Sequence, residues 1–307
     1  MIDNGIALVG AVVVAGILEV TLGEPPRRYH PVSILGGAIG WLESKRFGVP
    51  KLTGTVYAIA VPLATALGAY VLVWIGIETG VPIVPAVVAG AILWNASSLG
   101  MLLERGKRVI DSSDEDLDAA RTALSALAGR DSSDLSPELV RSAAVESLAE
   151  NLSDGLIAPL LAFTVLSFVS LPAAAAGAAF VKAVNTLDSM LGYPGRFGWA
   201  SARLDDLVMF VPARVSAVIV GLAAGDPDAP LRARRYANKP ASPNAGWPMG
   251  TLAAALNVRL EKPGAYVLNE VANYPTTRDG YGALKATRRA GIAAYGIVCL
   301  VGVVRWL

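Results

Sequence analysis

Three carboxylates, Glu146, Glu150 and Asp154, recur at every fourth position just before an apolar run that begins at Leu156. Pro137 to Asn151 reads as an amphipathic helix, and if it continues to residue 154 this spacing sets all three on one face. Like charges so placed repel unless a cation or a basic partner sits among them. Asn151 and the Ser153-Asp154-Gly155 turn add oxygen donors of the kind hard magnesium takes. The plainer alternative is a polar stripe washed by water. A second group follows the next apolar run: Lys182, Asn185 and Ser189 share a face at helical spacing, and Asp188 borders it. Polar groups that emerge from an apolar segment are costly unless they bind a ligand or each other. Otherwise Lys182 snorkels to water and Asn185 caps. Arg203, Asp205, Asp206 and Arg214 alternate in sign, with Asp206 and Arg214 as the expected salt bridge.

The segment from Arg232 to Gly246 is basic and rich in turn formers, with Arg235, Ser242 and Asn244 as its polar landmarks. Guanidinium forks and backbone amides in such a loop suit phosphate, and they suit anionic lipid headgroups equally. His30, the single histidine, lies in a stiff Gly-Glu-Pro-Pro linker, where a structural role competes with substrate binding. With one histidine and one cysteine, Cys299, the chain holds no Cys/His zinc site, internal disulfide or Cys-His catalytic pair. Any metal must sit on oxygen. No Walker A loop, Gly-x-Ser-x-Gly elbow, His-Glu-x-x-His pair or dinucleotide fingerprint is present. Twenty-six basic against 25 acidic residues give a net charge of +1, so no global field gathers nucleic acid.

The elements that must position these groups are set by the bilayer. Of the 307 residues 54% are hydrophobic and 17% charged, and the mean hydropathy is +0.51, too apolar for an ordinary soluble domain. Gly54 to Ile77 and Val81 to Leu103 carry no charge and predict a helical hairpin through the membrane. Gly5 to Leu22, apolar except for Glu19, reads as a retained first span, and Gly291 to Leu307 as the last. Leu156 to Val181 is broken at Ser170-Leu171-Pro172, and Leu207 to Gly225 contains Pro212 and Arg214. Each is read either as a crossing or as a re-entrant, protein-buried segment. Basic residues after the first and third spans put both loops inside and the Glu78-Thr79-Gly80 tip outside. A single crossing by Leu156 to Val181 would strand Lys182, Arg196 and Arg203 outside, which favours a hairpin bent near Pro172. The acidic run Asp111 to Asp116 is read as the solvated opening of a helix reaching Ala128. The expectation is one all-α, polytopic integral-membrane domain, with about 4 to 6 membrane helices or re-entrant segments and cytoplasmic helical loops.

Taken together, the motifs resemble those of the adenosylcobinamide-phosphate synthase family, the membrane enzymes of cobalamin biosynthesis. The resemblance rests on Gly23-Glu-Pro-Pro with His30-Pro-Val, Gly129-Arg-Asp, Val145-Glu-Ser-Leu-Ala-Glu-Asn-Leu-Ser-Asp-Gly155, and Lys182 with Asn185 to Tyr193. Arg203-Leu-Asp-Asp206, Pro212-Ala-Arg214 and Ser242-Pro-Asn-Ala-Gly246 complete it, in the family's order from residue 23 to about residue 266. Glu24 departs from the family's usual Asp. The resemblance implies a cell-membrane, ATP-dependent carbon-nitrogen ligase that joins a propionate carboxylate of adenosylcobyric acid to aminopropanol phosphate or a related amino alcohol. It implies ATP as co-substrate, magnesium as cofactor and a corrinoid substrate, with a homo-oligomer or other pathway enzymes as potential partners. On it, Glu146, Glu150 and Asp154 are assigned to magnesium with Asp205 or Asp206 as a second source. Lys182, Arg203 and Arg214 fall to phosphate or the corrin carboxylate, Asn185 and Asp188 to orienting the amine, and Arg235, Ser242 and Asn244, with His30, to substrate. Two other classes compete. A polytopic transporter or sensory protein would use Glu19 and Arg214 as a pathway, though no paired repeat is visible. A magnesium-dependent lipid transferase would need two Asp-x-x-Asp motifs, for which only Asp111 to Asp114 and Asp131 to Asp134 have the spacing.

Overall fold

Uncharged apolar sequence forms helix because backbone amides in a bilayer have no water to bond. The computed structural model describes residues 4–23, 36–37, 39–40, 49–128, 132–192, 195 and 197–307, and is almost entirely helical. Its helices are α1 (Asn4–Leu22), α2 (Pro50–Glu78), α3 (Ile83–Ala96), α4 (Gly100–Ser112), α5 (Leu117–Ala128), α6 (Pro137–Leu152), α7 (Ala158–Leu166), α8 (Leu171–Leu191), α9 (Trp199–Val208), α10 (Phe210–Ala224), α11 (Ala229–Ala233), α12 (Gly246–Leu256) and α13 (Thr277–Trp306). A π-turn, Ser153–Ile157, joins α6 to α7. Among the described residues, five stretches are long and apolar enough to cross a membrane: Gly5–Leu22, Pro50–Glu78, Ile83–Ser112, Pro137–Leu166 and Thr277–Trp306. A sixth exists only if α9 and α10, broken at Met209, count as one. The all-α polytopic architecture is as the sequence leads one to expect.

Three boundaries differ from expectation. Residues 137–166 form one helical run of 30 residues, and the part expected to be amphipathic is instead buried on every face from Val140 to Ala149, with Arg141, Ser142, Glu146 and Ser147 among the buried residues. The acidic run is divided: Asp111 closes α4, while the Asp116 carboxylate caps α5 by accepting the Ala119 N–H at 3.0 Å. A two-stranded antiparallel hairpin, β1 (Leu260–Lys262) and β2 (Tyr266–Leu268), follows α12, turning at Gly264 with φ of 73°. Strands three residues long are too short to show a period of two in the sequence.

The chain divides into two compact units. The first comprises Met1–Ser98, Ala158–Met209 and Tyr295–Leu307. Within it α8 packs along α2, α3 and α7, and thirteen of its residues are buried. The α7–α8 turn is capped by Ser170, whose Oγ accepts the Ala173 N–H at 3.2 Å, with Pro172 in the first helical turn. Ala158 packs near Val181, and Leu166 covers Gly177, so the two helices run antiparallel. The stretch Leu156 to Val181 is therefore a bent hairpin and not a single crossing. One cavity of about 560 Å³ is lined by Ala7, Gly80 and Ser170 together. Arg305 donates to the Ser167 hydroxyl at 2.8 Å, and Gly302 lies against Gly5 and Val9. The start of α1, the α2–α3 tip, the α7–α8 turn and the end of α13 thus share one end of this unit.

The second unit comprises Leu99–Ile157 and Phe210–Ala294. Val109, Ile110, Leu124, Val140 and Ala144 form a dry core between α4, α5 and α6. Arg141, 7% exposed, crosses its edge, donating to the Pro275 carbonyl at 2.7 Å and to Asp114 at 2.5 Å. A buried guanidinium so fully bonded holds the turn after α4 against the segment that opens α13.

Candidate functional site

In the first unit the polar cluster is carried by α8 and α9. From residue 181 to 188 the α8 positions that are not buried are Lys182, Asn185 and Asp188, followed by exposed Ser189, which is the face the spacing anticipates. The neighbours Val181, Ala183, Val184, Thr186 and Leu187 point into the bundle. Lys182, with Thr65 and Asn95, lines a cavity of about 310 Å³ whose remaining wall is mostly alanine, glycine, leucine and isoleucine. Counting from the turns at the shared end, Thr65, Asn95 and Lys182 lie at similar distances along their helices, so the three polar groups form one layer. The Asp188 side chain folds back over Gly192, leaving no room for a Cβ there. On α9, Asp206 takes Arg203 as its ion-pair partner at 3.1 Å, one turn away. Asp205 sits beside it, partly buried.

In the second unit the carboxylates of α6 part company. Glu146 is 3% exposed and turned inward, where its carboxylate accepts the Ser142 hydroxyl at 3.2 Å and the Tyr266 hydroxyl at 3.1 Å. It ties α6 to the β-hairpin, which Ser142 also holds by accepting the Glu261 N–H at 2.7 Å. Glu150 is partly exposed one turn later. Asp154 falls within the π-turn, whose extra residue per turn rotates everything after Leu152, so the even stripe of three does not persist past the α-helix. Among the described residues, no three Asp, Glu, His or Cys side chains stand together as a preformed metal site.

Arg214, on the first turns of α10, is held from several sides. It donates to the Phe210 carbonyl at 2.8 Å, to Asn244 Oδ1 at 2.6 Å and to the Pro243 carbonyl at 3.3 Å. Its guanidinium lies 3.7 Å from the Phe210 ring centre and 5.2 Å from that of Trp247. The expected Asp206–Arg214 salt bridge is therefore replaced: Asp206 goes to Arg203, and Arg214 clamps the Ser242 to Gly246 loop. Asn244, 4% exposed, is a structural partner in that clamp. Ser242 Oγ accepts the Asn244 N–H at 3.2 Å, closing the turn. Gly246 opens α12 where any Cβ would strike the Ala237 backbone, so the loop returns tightly onto the basic segment. Arg235 is exposed on that segment. His30 and its linker lie outside the described residues. The sequence reading missed Tyr266, Trp247 and Phe210. Phe210 was legible as the i−4 neighbour of Arg214, whereas the other two are brought in by the hairpin and the loop.

The hairpin also carries a pH prediction. The Tyr274 hydroxyl, at 2.5 Å, and then Arg259 hold Glu261 below its ordinary 4.5. A depressed carboxylate contributes stability above its unfolded value and loses it as pH falls through the folded one. The thermal midpoint in detergent should therefore drop as pH is taken below about 4.5, by less in Glu261→Gln than in the wild type. Identical acid profiles would remove Glu261 from that loss.

A family model described as CobD/Cbib protein matches residues 12–294. Among curated relatives, the cobalamin biosynthesis protein CobD of Rhodobacter capsulatus is 39% identical over 86% of this chain and 84% of its own length. That of Geobacter metallireducens is 37% identical over 95% and 94%, and the probable CobD of Methanothrix thermoacetophila 33% identical over 92% and 93%. No solved structure matches the chain.

Proposed function

The chain belongs to the CobD/CbiB family of cobalamin biosynthesis, and from that premise we propose that it is an ATP-dependent ligase forming an amide between a corrinoid propionate and an amino alcohol phosphate. The observation that carries the reading is the open polar face of α8, Lys182, Asn185 and Asp188, beside the α9 carboxylates in an otherwise apolar bundle. A cavity of about 310 Å³ next to Lys182 is at the small end of the roughly 300–1,000 Å³ that ligand sites occupy. It suits a small phosphorylated amine better than a corrin ring.

A carboxylate is a poor electrophile. In the proposed reaction the propionate oxygen attacks the terminal phosphorus of ATP, ADP leaves, and the resulting acyl phosphate is open to the amine. The amine then displaces phosphate as the C–N bond forms, and its surplus proton must be taken up. In this proposal Asp188, partly buried on the α8 face, accepts it. Asn185 orients the amine, while Lys182 and Arg203 meet phosphate or carboxylate oxygens. Arg214 keeps the Ser242 to Gly246 loop in shape for Arg235 and the loop amides to hold a second phosphate.

Magnesium fits the donor chemistry, since every candidate is a carboxylate oxygen. An ion that arrives on ATP needs only one or two protein carboxylates, the rest of its shell being phosphate and water. Because Glu146 is engaged by Ser142 and Tyr266, the proposal gives this role to Glu150 and Asp154 of the second unit, with Asp205 or Asp206 of the first as the alternative source. Bound there, magnesium would neutralise charge on the phosphates. The shared end that gathers Ala7, Gly80, Ser170 and Arg305 is assigned to the outside. This leaves the C-terminal end of α3 on the cytoplasmic side, and the basic residues that follow it in sequence, Arg105, Lys107 and Arg108 of α4, are in keeping with the positive-inside rule.

The test is purified protein with adenosylcobyric acid, ATP, magnesium and aminopropanol phosphate, with the corrinoid followed by mass. The expected result is a phosphorylated amide that requires all four components. Corrinoid binding without product, for every amino alcohol tried, would refute the ligase reading.

A further inference from the structure

The water-facing third of α13 carries cations that the ligase reading does not use. Lys285, Arg288 and Arg289 stand at i, i+3 and i+4, all exposed, and exposed Ile292 continues the same face. None of the three cations makes a hydrogen bond or an ion pair with a described residue. No Asp or Glu follows Asp279 in the sequence, so the helix offers no counter-charge of its own beyond its first turn. Like charges at this spacing repel and destabilise a helix. Their position along the axis is informative: Arg289 lies about 26 Å from Trp306 at 1.5 Å per residue, close to the thickness of a hydrocarbon core. Beyond Arg289 the exposed face is apolar, with Ile292, Ile297, Leu300 and Val304. The cations therefore sit where an apolar, lipid-facing surface meets the headgroup layer, and Arg305 and Trp306 mark the opposite boundary.

We propose that Lys285, Arg288 and Arg289 form a binding surface for the headgroup phosphate of an anionic phospholipid. Charge complementarity selects this occupant. Three cations with no counter-charge among the described residues attract an anion at headgroup depth, and Ile292 one turn deeper lies against the acyl chain that a lipid brings and a soluble anion lacks. In the orientation proposed above this is the cytoplasmic leaflet, where anionic lipids make a negative surface potential. The surface would fix the depth of α13, whose first turns pack on α4 through Gly280 and Ile110.

The experiment uses the full chain in micelles doped with equal amounts of phosphatidylglycerol and phosphatidylcholine, with retained lipids counted by native mass spectrometry. Wild type should retain the anionic lipid preferentially, and Lys285→Gln/Arg288→Gln/Arg289→Gln should lose that preference on the order of 100-fold, about fivefold per cation. Should the triple variant fail to fold, Arg289→Gln alone carries the test with about a fivefold loss. Equal retention of the two lipids by wild type, or an unchanged preference in a folded variant, overturns the proposal. So does displacement of the lipid by inorganic phosphate at equal concentration, which would make the site one for soluble anions.

Discussion

Asp154→Asn lowers the turnover of amide formation on the order of 1,000-fold, equivalent to about 4 kcal/mol of barrier. The size follows from where the residue stands. Of the three spaced carboxylates, Glu146 is spent on two hydroxyls in the interior, and Asp154 is carried by the π-turn out of the α-helical register. Asparagine keeps the shape and one acceptor oxygen but removes the charge, so the variant should insert and unfold like wild type. If Asp154 acts on magnesium, raising the magnesium concentration restores part of the rate and shifts the half-saturating concentration upward. A purely structural Asp154 would change the melting temperature and leave the magnesium dependence alone. Wild-type turnover in Asp154→Asn would remove the residue from the site.

The second large effect is at Arg214, where the conservative change is the informative one. Lysine keeps the charge but cannot donate in three directions while stacking on Phe210. Asn244 Oδ1, on a residue 4% exposed, then loses the donor at 2.6 Å. Leaving such an acceptor unmet costs about 1–3 kcal/mol. Thermal unfolding in detergent should register this as a drop of several degrees. Turnover should fall further, about 100-fold, because a loop displaced by an ångström misplaces whatever it holds. An Arg214→Lys variant with the wild-type melting point and rate would show that the clamp on the loop does not matter.

The membrane architecture could be read from composition because uncharged runs of twenty or more residues have few folds available. The hairpin near Pro172 was legible from charge: Lys182, Arg196 and Arg203 disfavour a single crossing of 156–181. The α8 face was legible too, since 182, 185 and 189 obey helical spacing and helical spacing is what α8 keeps. The α6 stripe was not, because a π-turn is a local change of register that no residue type announces; Gly155 is its one hint. The Asp206–Arg214 pair failed for a related reason. Proximity in sequence suggested it, but α9 ends at Val208 and α10 begins at Phe210, and the break at Met209 interrupts the helical phase linking the two side chains. Tyr266 and Trp247 reach their partners through tertiary contacts to residues 120 and 33 positions away, beyond any periodicity.

The first unit draws on three separate stretches of chain, and its last contribution, Tyr295–Leu307, is the latest to be synthesised. Tyr295 meets the Ser97 hydroxyl at 3.2 Å, Arg305 bonds Ser167, and Gly302 closes on Gly5 and Val9. During synthesis α1, α2, α3, α7 and α8 must therefore wait in the bilayer with that seam unfilled until residue 305 has emerged. A nascent chain arrested before Tyr295 would expose the Ser97, Ser167 and Gly5 surfaces to membrane quality control. Truncation there should give a short-lived protein even though every candidate site residue has already been made.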